Sequence, residues 1–198
     1  KIGTGCIVGP QAFIGPNVVL GPRCKVGASA VIDGWTEIGE GTEIFPFASI
    51  GLAPQDLKYH GEPTRLVIGK RNVFREFVTI NRGTEGGGGV TAIGDHNVFM
   101  AYVHVAHDCH VKNHTIFGPH ATLGGHVTVE DYANVSAGSA VHQFCRIGTL
   151  ALMQGGAKVS HDVAPYTVAY EGNRICGLNI VGLRRAGFSP DARLELKR

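Results

Sequence analysis

Large apolar residues recur along this chain every six positions. From Ile2 they fall at Val8, Ile14, Leu20, Val26, Ile32, Ile38, Ile44 and Ile50, and resume in the same phase at Ile68, Phe74 and Ile80. After one slip they run through Ile93, Phe99, Val105, Val111, Phe117, Leu123, Val129, Val135, Val141, Ile147, Met153 and Val159. The fourth residue beyond each is usually small, as at Cys6, Ala12, Cys24, Ala30, Ala48, Cys109, Ala121, Ala133, Ser139, Ala151 and Ala157, with Pro54, Asn72 and Asn97 less regular. Polar residues and glycines occupy the positions between. A period of six fits neither a 3.6-residue helix nor the two-residue alternation of a sandwich strand. It predicts an all-β protein of short parallel strands, stacked about 4.8 Å apart around a narrow core.

The hexapeptide pattern resembles the left-handed parallel β-helix of bacterial acyltransferases, with three hexads to an 18-residue coil. The hand comes from that resemblance, because the general crossover rule favours the opposite one. The repeat predicts a β-helix over 1–165, interrupted by loops at 56–67 and 86–92. Loops that a strict array does not need are candidates for function. The glycine run in the second lacks the Gly-Lys-Ser/Thr ending of a phosphate loop and reads as a flexible flap. Residues 166–198 are expected to be irregular and to lead into a helical domain that is cut short. Ser189-Pro190-Asp191 is a good helix start, with a capping hydroxyl and Pro at the first helical position. Lys rather than Met at position 1 and the curtailed final helix point to a piece of a longer protein.

Composition narrows the class. Glycine numbers 29 of 198 residues, about twice the usual share, yet no Gly-X-Y order suggests collagen. Charged residues are 17% and hydrophobic ones 43%, too apolar for a disordered chain. A net charge of +2 argues against nucleic-acid binding by bulk charge. No run is long and apolar enough for a membrane span, and no leader marks secretion. The five cysteines form no Cys-x-x-Cys pair, and four of them (Cys6, Cys24, Cys109, Cys145) take the small inward slot. Buried thiols in a reducing cytoplasm are the expectation.

Most of the ten histidines lie between His96 and His142. The hexads of Val105, Leu123 and Val141 are 18 residues apart, so His107, Gly125 and Gln143 should stack in one column, with His126 and His142 beside it and His104 at the preceding corner. Three imidazoles suit zinc, but no two histidines stand five apart, the ligand spacing of zinc carbonic anhydrases with this fold. The column therefore reads as a general-base site without metal or cofactor. His107 would take a proton from an attacking hydroxyl or amine, Asp108 would orient the imidazole, and the Gly125 N–H would serve a tetrahedral oxyanion.

Seven segments carry a closer likeness: QDLKYHGEPTR (55–65), TINRGT (79–84), HVAHDC (104–109), ATLGGHV (121–127), AVHQFC (140–145), DVAPY (162–166) and NIVGLRRAGF (179–188). In their order and spread they resemble the UDP-N-acetylglucosamine acyltransferases of lipid A biosynthesis. The resemblance implies a homotrimer with active sites between adjacent subunits. It also implies transfer of a 3-hydroxyacyl chain from acyl carrier protein to the 3-hydroxyl of UDP-N-acetylglucosamine. His107, Asp108 and Gly125 would then be catalytic. Asp56 and Lys58 would hold substrate, and His104, His126, His142 and Gln143 would line the cleft. Asn179 and Arg185 would contact the nucleotide, and Gly155 would set acyl-chain length, its missing side chain leaving room for a long chain. Val181 and Ala186 depart from the family's pattern. An N-acyltransferase acting on an amino-sugar nucleotide is the alternative in the same chemistry. From other classes, a non-catalytic β-solenoid and a metal-dependent hydratase remain.

Overall fold

The computed structural model describes residues 1–197. It is a left-handed parallel β-helix of triangular section. Its faces are sheets of seven, ten and eight strands, visited in that order within each coil. Most rungs pair 18 residues apart, as in Ile7↔Lys25, Ile116↔Asn134 and Thr128↔Arg146. The hexad residues point inward. Phe74, Phe99 and Phe117 are fully buried and stack ring on ring at 4.9 and 4.7 Å, and the small slots (Cys24, Ala30, Ala48, Ala121, Ala133) are equally closed. In the first coil Ile2 and Val8 are half exposed.

The chain turns each corner at the third residue after the large apolar one, and that residue often takes a left-handed backbone without being glycine. Phe47, Phe77, Tyr102, His114, Asp108, His126 and Phe144 all have φ between 56° and 67°. Such angles cost energy for residues with a side chain. Ring stacking between coils offsets part of it: Phe47–Phe77, Phe77–Tyr102 and Tyr102–His120 lie 5.2, 4.9 and 4.7 Å apart up one corner. His96, His114 and Tyr132 form a second ladder on another.

Two coils are longer than the rest. Trp35 pairs with Arg65 and Ser49 with Thr79, whereas Val73 pairs with Val98 and Thr79 with His104. Both insertions leave the third corner, where the eight-stranded face hands over to the seven-stranded one. Their boundaries differ from the expected 56–67 and 86–92. Strands end at Leu52 and Asn81 and resume at Arg65–Ile68 and Val90–Ile93. The chain rejoins the sheet early because Leu66 and Thr91 are drawn into the slot over Thr36, and all three are fully buried.

The region after 165 also departs from expectation. Thr167–Tyr170 continues the ten-stranded face in parallel with Leu152–Met153, and Arg174–Leu178 folds back antiparallel on its edge. Helix α1 (Ile180–Arg185) follows, capped by the Asn179 side chain and anchored through buried Leu183. Helix α2 (Pro190–Glu195) starts as the sequence predicts, with Ser189 Oγ accepting from the Ala192 N–H at 3.2 Å. Among the described residues no helix is long and apolar enough to cross a membrane.

Candidate active site

The third corner gathers most of the predicted residues. The register Val105↔Leu123↔Val141 carries His107, Gly125 and Gln143 up one column. Asp108 is the left-handed corner residue (φ +58°), and the bend brings its carboxylate back against its neighbour: His107 Nδ1 lies 2.7 Å from Asp108 Oδ2. That carboxylate is 1% exposed and His107 17%. The charged oxygens are held by more than the imidazole. The Thr84 N–H donates to Oδ1 at 2.8 Å and the Thr84 hydroxyl to Oδ2 at 2.6 Å. The Asp108 N–H in turn donates to Thr91 Oγ1 at 2.8 Å.

A carboxylate at Nδ1 keeps the proton on that nitrogen and leaves the Nε2 lone pair free to accept one. The ring fits because residue 125 has no side chain: a Cβ there would lie 2.7 Å from His107 Cε1 and 2.9 Å from Nε2. The second position after each large apolar residue is where the turn releases its N–H from the ladder, which is why Pro10, Pro16, Pro22, Pro46 and Pro119 stand there elsewhere. Gly125 has that position in its own turn. Its carbonyl accepts from Phe144 N–H at 3.0 Å, and its N–H has no partner among the described residues.

His126 meets His107 edge-on at 5.2 Å between centroids and stacks on Phe144 at 4.4 Å. Its Nε2 is 3.8 Å from Asp108 Oδ2. His107, Asp108 and His126 offer ligand atoms within 4.8 Å of one another, the one such metal-capable trio among the described residues. A cation taking His107 through Nδ1 would have to break its hydrogen bond to Asp108. His142 and Gln143 are exposed on the next coil, with His142 Nδ1 3.2 Å from the Gln143 carbonyl. His104 sits one face back, bonded through Nδ1 to Thr79 Oγ1 at 2.7 Å. Burial, and secondarily the charge of His107, holds its pKa below the usual histidine value.

Both inserted loops border this corner. Asp56 and Lys58 line a cavity of about 140 Å³ together with Thr84 and Glu85 from the second loop. Arg82 clasps the first loop. Its Nε and Nη2 donate to Tyr59 Oη at 3.0 and 2.7 Å, Nη1 donates to the Gly51 carbonyl at 2.9 Å, and the guanidinium lies over the Trp35 and Tyr59 rings. Thr84, Thr91 and Arg82 escaped sequence reasoning. The first and last stand in TINRGT, but nothing in a linear reading shows what they touch.

Three predicted residues lie elsewhere on the chain. Arg185 and Asn179 border a cavity of about 690 Å³ with His114, Tyr132 and Leu152, on the corner between the seven- and ten-stranded faces. The Asn179 side chain is occupied by the fold, accepting from the Gly182 N–H at 3.0 Å and donating to the Leu150 carbonyl at 2.9 Å. Gly155 is on the remaining corner, where an added Cβ would meet only the Ala137 carbonyl at 3.5 Å.

Comparison with known proteins agrees with this architecture. Residues 1–34 and 91–125 match the bacterial transferase hexapeptide repeat, and 162–198 match domain 2 of UDP-N-acetylglucosamine O-acyltransferases. An acyl-[acyl-carrier-protein]–UDP-N-acetylglucosamine O-acyltransferase from Verminephrobacter eiseniae is 53% identical over 166 residues, 83% of this chain and 63% of that protein. The chain thus spans less than two thirds of the length of the curated relatives it matches first. Among solved structures, the UDP-N-acetylglucosamine acyltransferase of Bacteroides fragilis superposes with a TM-score of 0.95 at 42% identity, covering 100% of this chain and 77% of that one. The enzyme from Campylobacter jejuni gives 0.87 at 37% identity, covering 100% and 82%. By sequence and by structure, this chain belongs to the UDP-N-acetylglucosamine O-acyltransferase family.

Proposed function

We propose that this protein transfers a 3-hydroxyacyl chain from acyl carrier protein to the 3-hydroxyl of UDP-N-acetylglucosamine, the first step of lipid A biosynthesis, in the cytoplasm. The observation that carries the reading is the His107–Asp108 pair, with Nε2 unencumbered beside a glycine whose N–H is free. His107 Nε2 takes the proton of the sugar hydroxyl as its oxygen attacks the thioester carbonyl. Asp108 stabilises the imidazolium that forms. The Gly125 N–H meets the oxyanion. Collapse of the tetrahedral intermediate forms the ester and expels the thiolate, which recovers the proton from His107.

A single chain keeps the dyad and the Asn179–Arg185 cavity on different corners. A homotrimer would set one subunit's dyad against its neighbour's cavity, with Arg185 offering a guanidinium fork to phosphate and Gly155 near the far end of the acyl chain. Asp56 and Lys58, beside Thr84, would hold the sugar nucleotide, with His104, His126, His142 and Gln143 along the cleft wall. The test is incubation with UDP-N-acetylglucosamine and a panel of hydroxyacyl carrier proteins, reading product mass. An ester, released by mild base, supports the reading; an amide formed on an amino-sugar nucleotide instead would replace it with N-acylation.

A further inference from the structure

The second insertion is more than a flap. Gly83, Thr84 and Gly87 of this loop close over the Asp108 carboxylate. A Cβ at Gly87 would lie 2.2 Å from its Cγ and Oδ2, and one at Gly83 would lie 2.8 Å from Oδ1. At Gly87 the carboxylate fills the space a side chain would need, whereas at Gly83 the backbone of Gly89 and Val90, 2.5 and 2.3 Å from the Cβ position, closes that space first. Thr84 occupies the cap position of the short 3-10 turn Glu85–Gly87, where a threonine oxygen ordinarily accepts from the turn's own N–H groups. Here it makes no capping bond. It is buried, and both its hydroxyl and its N–H are spent on Asp108.

We infer that Thr84 is a positioning residue for the catalytic pair, an assignment that rests on the acyl-transfer reading above. With Thr84 donating to both oxygens, Asp108 can only accept. The remaining lone pair of Oδ2 then faces His107 Nδ1 and demands a proton there, which delivers the Nε2 lone pair to the reacting side. The same two donors share the carboxylate's charge and moderate its pull on the imidazolium. The other charged or titratable groups around this pair are His126, 3.8 Å from Oδ2, His104, whose pKa is lowered by burial and then by the charge of His107, and Glu85, Asp56 and Lys58 around the cavity that Thr84 lines.

The variants Thr84→Val and Thr84→Ser in the complete enzyme test this. Loss of the hydroxyl in Thr84→Val should lower kcat by on the order of tenfold to a hundredfold, the range of a lost hydrogen bond to a charged group. KM should change little, because the sealed carboxylate does not reach substrate. The acid limb of the kcat/KM profile should move to higher pH, as the unshared carboxylate holds the imidazolium more tightly. The imidazole ¹H–¹⁵N spectrum should show the His107 Nδ1–H resonance displaced. Thr84→Ser should restore all three. A folded Thr84→Val whose profile and resonance superpose on the wild type's overturns the assignment, and so does a Thr84→Ser as impaired as the valine variant. If Thr84→Val does not fold, Thr84→Ala takes its place in the same comparison. Should the wild type prove inactive on the proposed substrates, the resonance still reports on the positioning itself, so the two readings fail separately.

Discussion

The His107 imidazole occupies the volume that a side chain at Gly125 would need, with Cε1 and Nε2 2.7 and 2.9 Å from the Cβ position. A glycine is therefore required one coil above His107 whatever its N–H does. Gly125→Ala should push the ring off the Asp108 bond while leaving the core rungs Val105↔Leu123 intact. The expected result is a kcat loss approaching the ~10²–10⁴-fold associated with general-base catalysis. Steady-state kinetics alongside a melting curve check it: full activity with a normal melt would mean that the ring does not have to stay where it stands.

Replacing His107, the proposed base, is the companion measurement. If His107 accepts the hydroxyl proton as proposed, His107→Ala should cost ~10²–10⁴ in rate. Because His107 forms no part of the buried core, the variant should fold normally. Asp108→Asn should behave differently. An N–H₂ at the Oδ1 position would face the Thr84 N–H and leave a buried donor unsatisfied at a cost of about 1–3 kcal/mol. At the Oδ2 position it would face the Thr84 hydroxyl and His107 Nδ1 and drive the imidazole proton onto Nε2. That variant should lose both activity and several degrees of melting temperature, whereas His107→Ala should lose activity alone.

The hexads made the core legible before any coordinates. Each apolar position from Leu20 onward that the period names is buried, and His107, Gly125 and Gln143 share a column as the 18-residue coil requires. The loop boundaries were not legible, because Leu66 and Thr91 enter the core two residues before Ile68 and Ile93. A strict period gives no warning of an early return to the sheet. The parallel strand Thr167–Tyr170 was hidden for a related reason. It pairs 16 rather than 18 residues on from Leu152–Met153, so the phase was already lost. The oxygens of Thr84 and Thr91 were invisible for a third reason: their contact with Asp108 crosses 24 and 17 residues, and no local pattern encodes it.

The Arg82 clasp predicts how substrate binding depends on the first loop. Its guanidinium reaches Tyr59 Oη and the Gly51 carbonyl at once while stacking between rings, a geometry that a lysine ammonium cannot reproduce. Arg82→Lys should loosen the segment carrying Asp56 and Lys58, raising KM severalfold with kcat nearly unchanged. Hydrogen exchange over residues 53–64 should accelerate in the same variant. Unchanged exchange would mean that the loop is held by other contacts, chiefly the Tyr59 Oη bond to the Glu62 carbonyl at 2.6 Å.

His104 makes stability depend on pH. Its pKa in the folded protein lies below 6.5, mainly through burial and then through the charge of His107. Between that lowered value and 6.5 the unfolded chain takes up a proton that the folded one refuses. Stability should therefore fall as pH drops through 6.5 and stop responding to this residue once the pH is below the folded value. Melting temperatures from pH 8 to pH 5 should show the decline in the wild type and a shallower one in His104→Gln, whose amide can still meet Thr79 Oγ1. Parallel curves for the two proteins would assign the acid sensitivity to other groups.

Gly155 offers the cleanest test of chain-length control, because the structure allows the substitution at little cost. Its backbone is not left-handed, and an added Cβ would find only the Ala137 carbonyl, at the ordinary distance of 3.5 Å. Gly155→Met should therefore melt as the wild type does, so any change in substrate choice reflects the space the side chain fills. If the acyl chain runs past this corner in the assembled enzyme, the methionine should shift preference toward shorter hydroxyacyl carrier proteins and reduce kcat/KM for the longest by tenfold or more, since each methylene excluded from an apolar site forfeits ~0.8 kcal/mol. Competition between carrier proteins of different acyl length, read by product mass, measures that ratio directly. An unaltered preference would place the end of the acyl chain on another part of the surface.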